Sequence, residues 1–155
     1  MKTGLVWALS GFIAFVFVQS TFFKFTGAEE TVIIFNTLSD WLQTIGAPGA
    51  IVDAARDLGA YSVGTLELIA AALVLIPRQR LFGASLSLVV ISGALFAHLF
   101  TPLGIDRIVD PAGNTDGGAL FFTAIAVWVS SALVLGLQHR PRPVEPAHSV
   151  GAVAA

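Results

Sequence analysis

Four ionisable side chains, Lys24, Glu67, His98 and Asp116, are of a type that could do chemistry in an otherwise apolar chain, and Gln19 and Ser20 add neutral polarity beside the first. Glu67 is the sharpest case. It is the only charge in the stretch from Tyr61 to Ile76, YSVGTLELIAAALVLI. A carboxylate in hydrocarbon costs roughly 2.5–3.5 kcal/mol near a helix centre and less toward the interface. Such a residue persists when it faces protein or water and has a partner. In a polar site, Glu67 would accept a proton or anchor a hydrogen bond, and His98 would titrate near neutrality. The competing reading is structural. Glu67 would then belong to an ion pair or hydrogen-bonded knot that sets helix register. Lys24 would snorkel to the headgroups, and His98 would wet its ring near a helix end. Residue types alone leave both readings open.

The elements that must position these groups follow from composition. The chain has 155 residues, of which 55% are hydrophobic and 12% charged. A soluble domain carries about 25% charged residues. With a mean hydropathy of +0.83 and apolar residues in long blocks, this is an all-α integral membrane protein. Four runs reach the roughly 20 residues that a span needs, or come close. They cover about 5–25, 60–76, 81–100 and 117–137, and a single domain is expected over 1–138. The first run exceeds a signal-peptide core and stays aromatic past the cleavage-like Val18-Gln19-Ser20, so it reads as an anchor.

Between the first two spans, Ile34, Leu38, Trp41, Leu42 and Ile45 recur at helical spacing, with Glu30, Asn36, Ser39, Asp40 and Gln43 opposite. An amphipathic helix is expected over about 29–45, opened by a capping box from Thr26 to Glu29. Its acidic face argues against anionic lipid and for packing over the mouth of the bundle. Ile51 to Leu58 reads as a short separate helix or turn, and Arg78-Gln79-Arg80 as a tight basic loop. The tail, 139–155, is rich in Pro and Ala and is expected to be disordered.

Lys2, Arg78, Arg80, Arg140 and Arg142 fall on the side of the termini. Arg56 and Arg107 lie opposite, among Glu29, Glu30, Asp40, Asp53, Asp57, Asp106 and Asp110. The positive-inside rule puts both termini in the cytoplasm of a bacterial inner-membrane protein and makes the amphipathic helix extracytoplasmic. Glu67 then lies about 9 Å below the outer end of its span. Lys24, His98 and Asp116 sit at the outer ends of theirs, which leaves the inner halves without ionisable groups. Gly64, Glu67 and Ala71 share a helix face, as do Gly83, Ser87, Ala94 and His98. These small residues permit close packing, and Glu67 is expected to meet Lys24, His98 or both.

Phe96 and Phe121 belong to a Phe-rich outer rim that would suit a flat lipophile such as a quinone. An interfacial belt would favour Trp and Tyr instead. Several chemistries are excluded. There is no cysteine, hence no disulfide or thiolate metal site. Glu67 and His98 are too few ligands for a metal. His139 and His148 lie in the tail, so a bis-His haem is not available in one chain. No basic patch interleaved with aromatics points to nucleic acid.

Three segments together resemble the DoxX-like family of small four-helix bacterial membrane proteins: Phe23-Lys24-Phe25-Thr26-Gly27, the run from Glu67 to Pro77 (ELIAAALVLIP), and Gly93-Ala94-Leu95-Phe96-Ala97-His98-Leu99. The resemblance covers about residues 5–137. It implies that Lys24, Glu67 and His98 occupy recurrent polar positions. It also implies an accessory or quinone-interacting subunit of a membrane redox system, with a redox partner subunit beside it. A non-enzymatic lipid-binding or scaffolding protein and a membrane enzyme with Glu67 as general base are the alternatives. A homo-oligomer stays open.

Overall fold

The computed structural model describes residues 2–138; the tail expected to be disordered lies outside them. Among the described residues there are five helices: α1 (Lys2–Thr26), α2 (Glu29–Thr44), α3 (Gly49–Leu75), α4 (Arg80–Phe100) and α5 (Ala119–Gln138). Among the described residues there is no strand, only an isolated bridge between Ile108 and Thr115. Four helices, α1, α3, α4 and α5, are long and apolar enough to cross a membrane.

These four close a ring in the order α1, α3, α4, α5 and back to α1, with α1 and α3 sharing the largest interface. Small residues make the ring tight. A Cβ on Gly83 of α4 would stand 2.3 Å from the Val74 backbone nitrogen of α3, so the two backbones cross in near contact. The core is Ile13, Ala14, Phe17, Ala70, Ala71, Val74, Ala84, Ile91, Ala124, Val127 and Val134. Buried between α4 and α5, the Ser87 and Ser131 hydroxyls lie 2.7 Å apart. Many apolar side chains, Phe82, Val89 and Phe15 among them, point outward. Small residues at the helix contacts with apolar ones facing out is the packing expected where lipid, not water, surrounds a bundle.

Three boundaries differ from expectation. First, Thr26 does not cap α2. Its hydroxyl donates back to the Phe22 carbonyl of its own helix. Gly27, with φ +65°, ends α1, and the Ala28 N–H closes on the Phe23 carbonyl. Glycine takes this left-handed position at no Cβ cost. Secondly, residues 49–58 are not a separate element. They are the first turns of a 27-residue α3, about 40 Å long at 1.5 Å per residue. Helix α2 runs back along them and supplies a partner for Arg56, while Asp53 and Asp57 are exposed. Arg56 pairs with Asp40 at 2.8 Å, and the Ser39 hydroxyl donates to the Val52 carbonyl at 3.2 Å. The Phe35 ring fills the space a side chain at Gly59 would take. Thirdly, α5 begins at Ala119 because Gly117 and Gly118 both adopt positive φ.

The hairpin of α2 and early α3 leans over the end of α4, with the Trp41 and Phe96 rings 6.4 Å apart edge to face. From the base of α2, Glu30 reaches the segment that joins α4 to α5 and pairs with Arg107 at 3.5 Å.

Candidate functional site

Glu67 is 6% exposed and sits one turn below Gly64, which packs against Phe25 and Lys24 of α1. The absent side chain at Gly64 leaves room for the Phe25 ring, and the Thr21 hydroxyl donates to the Gly64 carbonyl at 3.0 Å. That contact brings one face of α1, Ser20, Thr21 and Lys24, against the carboxylate.

The Lys24 ammonium donates to both carboxylate oxygens of Glu67, at 3.0 Å each. It also donates to the Ser20 hydroxyl, which in turn donates to Oε1 of Glu67 at 3.2 Å. Thr21 approaches Oε2 at 3.5 Å, long for a hydrogen bond. A carboxylate has about four acceptor positions; Oε1 accepts from Lys24 and Ser20 and Oε2 from Lys24, while the one Thr21 O–H is committed to the Gly64 carbonyl. The ammonium's three N–H groups are all used. The charge is paired and hydrogen-bonded by its neighbours, which is the condition under which a buried charge is tolerated.

His98 is elsewhere. Its Nδ1 donates to the Gly104 carbonyl at 2.7 Å, and its ring packs edge-on against Phe121 with centroids 5.7 Å apart. Among the described residues it makes no hydrogen bond or ion pair with Lys24 or Glu67. Helix α4 delivers His98 to the start of the α4–α5 loop, whereas Glu67 faces α1.

Asp116 forms a third centre. Its carboxylate accepts from the backbone N–H groups of Gly118 and Leu120, capping α5, and lies 3.6 Å from the Arg107 guanidinium. Burial opposes ionisation of Asp116, but the Leu120 and Gly118 N–H groups and Arg107 outweigh it and hold its carboxyl below the usual range. Asp110, in the same loop, is also lowered, by the side-chain and backbone donors of Asn114.

Of the remaining candidates, Ser20 joins the cluster, whereas Gln19 is exposed on the outer face of α1. Phe96 stacks on Phe100 at 5.2 Å, and Phe121 backs His98. An open groove of about 470 Å³ runs along the outward side of α3, lined by Leu58, Tyr61, Ser62, Thr65 and Leu66.

Sequence reasoning missed Thr21, Arg107 and Arg80. Thr21 shares a face with Lys24 and was discoverable. Arg107 has a side chain 1% exposed, between Glu30 and Asp116. Its nearest partner in α2 lies 77 positions away (107 − 30), and no local pattern announces it. Arg80, read as a loop residue, is the first residue of α4 and is buried. It is a buried helix residue at the end of the bundle where only a basic loop was expected. The chain matches no family model, no curated protein and no solved structure.

Proposed function

We propose that the chain is a multi-pass inner-membrane protein of the DoxX-like kind, acting as a non-catalytic accessory subunit of a membrane redox system that engages a quinone or similar lipophile. The observation that carries this reading is the Lys24–Glu67 cluster. Two residues through which the sequence resembles that family meet in space, and Lys24 engages both carboxylate oxygens. A general base needs a lone pair within reach of a substrate proton. Glu67 is buried with both oxygens engaged from α1, which speaks for a structural or binding role and against a stand-alone enzyme.

The charge distribution supports an orientation with cytoplasmic termini and an extracytoplasmic α2. A reporter fused after Arg142 would then be active only on the cytoplasmic side. A second reading, a lipophile-binding protein without a redox partner, is favoured by the open groove on α3, where the Ser62 and Thr65 hydroxyls lie among apolar side chains.

The deciding experiment purifies the full chain from native membranes. It then titrates the protein with decyl-ubiquinone, following quenching of the three tryptophans. Saturable quenching together with a copurifying oxidoreductase supports the subunit reading. Saturable quenching alone supports the second, and quenching no different from that by a plain alkane refutes both.

A further inference from the structure

Arg80 begins α4 and is 4% exposed. Its Nε donates to the Val74 carbonyl at 3.0 Å, near the last turn of α3. Its guanidinium carbon lies 4.1 Å from the centroid of the Trp7 ring. Nη2 is buried with no hydrogen-bond partner. Among the described residues no carboxylate pairs with it, in contrast to Lys24, Arg56 and Arg107. One carbonyl and one ring do not offset a buried guanidinium. A cation–π contact contributes about 0.5–2 kcal/mol, whereas desolvating the ion costs several.

We infer that Arg80 is the anchor of a phosphate-binding site at the terminal end of the bundle, whose occupant is the headgroup of an acidic phospholipid. Three features converge on that chemistry. The positive end of the α4 dipole lies at Arg80 and favours an anion. Arg78, exposed two residues earlier, adds a second positive charge. Trp7 is 44% exposed, so the guanidinium lies one ring thickness from the bilayer interface. A planar guanidinium edge matches phosphate oxygens bidentately, and basic pockets between transmembrane helices are where acidic headgroups dock. This site is separate from the Lys24–Glu67 cluster and does not rest on the function proposed above.

The test uses the full-length protein in neutral detergent. It is titrated with mixed micelles doped with phosphatidylglycerol or phosphatidylcholine and, separately, with inorganic phosphate, and is read by thermal unfolding and native mass spectrometry. Phosphatidylglycerol raises the unfolding midpoint saturably and leaves bound adducts, and phosphatidylcholine does neither. Inorganic phosphate that reproduces the full shift assigns the site to a free anion; phosphate without effect assigns it to the lipid headgroup. Arg80→Gln weakens phosphatidylglycerol binding about tenfold or more, as loss of a charged hydrogen-bond donor does, and Arg78→Gln weakens it less. Because Arg80 also holds the Val74 carbonyl, Arg80→Gln can fail to fold. Arg80→Lys then decides, keeping the charge, losing the planar fork and binding more weakly than the wild type. Equal shifts with the two lipids overturn the inference. So does a folded Arg80→Gln, or an Arg80→Lys, with wild-type affinity for phosphatidylglycerol.

Discussion

Replacing Glu67 by Ala strands the Lys24 ammonium at the α1–α3 interface, and the size of the effect can be worked from the structure. At the observed 3.0 Å separation, an effective dielectric of about 20 gives a Coulomb attraction of about 5 kcal/mol. The Lys24 side chain is 15% exposed and lies within a turn of the end of α1, so its ammonium can swing toward the interface and recover part of that loss. The expected cost of Glu67→Ala is therefore about 3 kcal/mol, at the low end for a broken buried pair. A charge-free Lys24→Met/Glu67→Met double variant fills the same space without desolvating two ions, and is expected within about 1 kcal/mol of the wild type. The assay is a double-mutant cycle on reversible unfolding in mixed micelles, using Lys24→Met, Glu67→Met and the double variant. A coupling energy of about 2 kcal/mol is expected. A coupling below about 0.5 kcal/mol, or a double variant no more stable than the worse single one, would refute the claim that the pair acts as a unit.

Other outcomes follow from particular contacts. Gly83→Ala drives a Cβ into the backbone of Val74 and should cost about 3 kcal/mol or more by overpacking. Gly93→Ala, with open space around it, should gain about 0.5–1 kcal/mol, and thermal unfolding in detergent distinguishes the two. The carboxyl of Asp116 is held below its ordinary value of 3.8, so its contribution is complete above that value and is lost as pH falls through the lower folded value. Amide exchange at Gly118 and Leu120 should accelerate selectively below that pH, and Asp116→Asn should cost about 1 kcal/mol through loss of the charged cap. Arg56→Ala removes an exposed pair with Asp40 and should change stability by no more than about 0.5 kcal/mol, measured in the same unfolding assay.

The sequence made the membrane helices legible because each is a long apolar run, and α2 because its apolar positions recur every three to four residues. The meeting of Lys24 with Glu67 was readable from the faces they share with Ser20 and Gly64. The start of α3 was not. Asp53, Arg56, Asp57 and Gly59 resemble a loop until α2 supplies Asp40 for the arginine and Phe35 for the glycine. The expectation that His98 would be a candidate partner for Glu67 rested on depth and on the small residues that share a face with each. A helix face that is right in depth can still point elsewhere, and the Gly104 carbonyl, set by the turn after α4, is nearer. The buried arginines were illegible for a related reason. Arg80 looks like any loop cation unless Trp7, on α1 across the ring, is known to lie over it.

The α1–α3 interface also bears on how the protein is made. Helices leave the ribosome in chain order, and α3 carries a carboxylate that raises the cost of its entry into lipid. Its partner, Lys24, is already in the membrane on α1, together with the Ser20 and Thr21 hydroxyls that complete the cluster. The largest interface of the fold thus lies between the first two spans to be inserted. Membrane integration of α3 should then depend on α1 having stayed nearby, and a chain whose first span carries Lys24→Glu should lose α3 to the aqueous side during synthesis. The ion pair that holds the finished bundle is, on this view, first a device for getting a charged helix across the threshold of the bilayer.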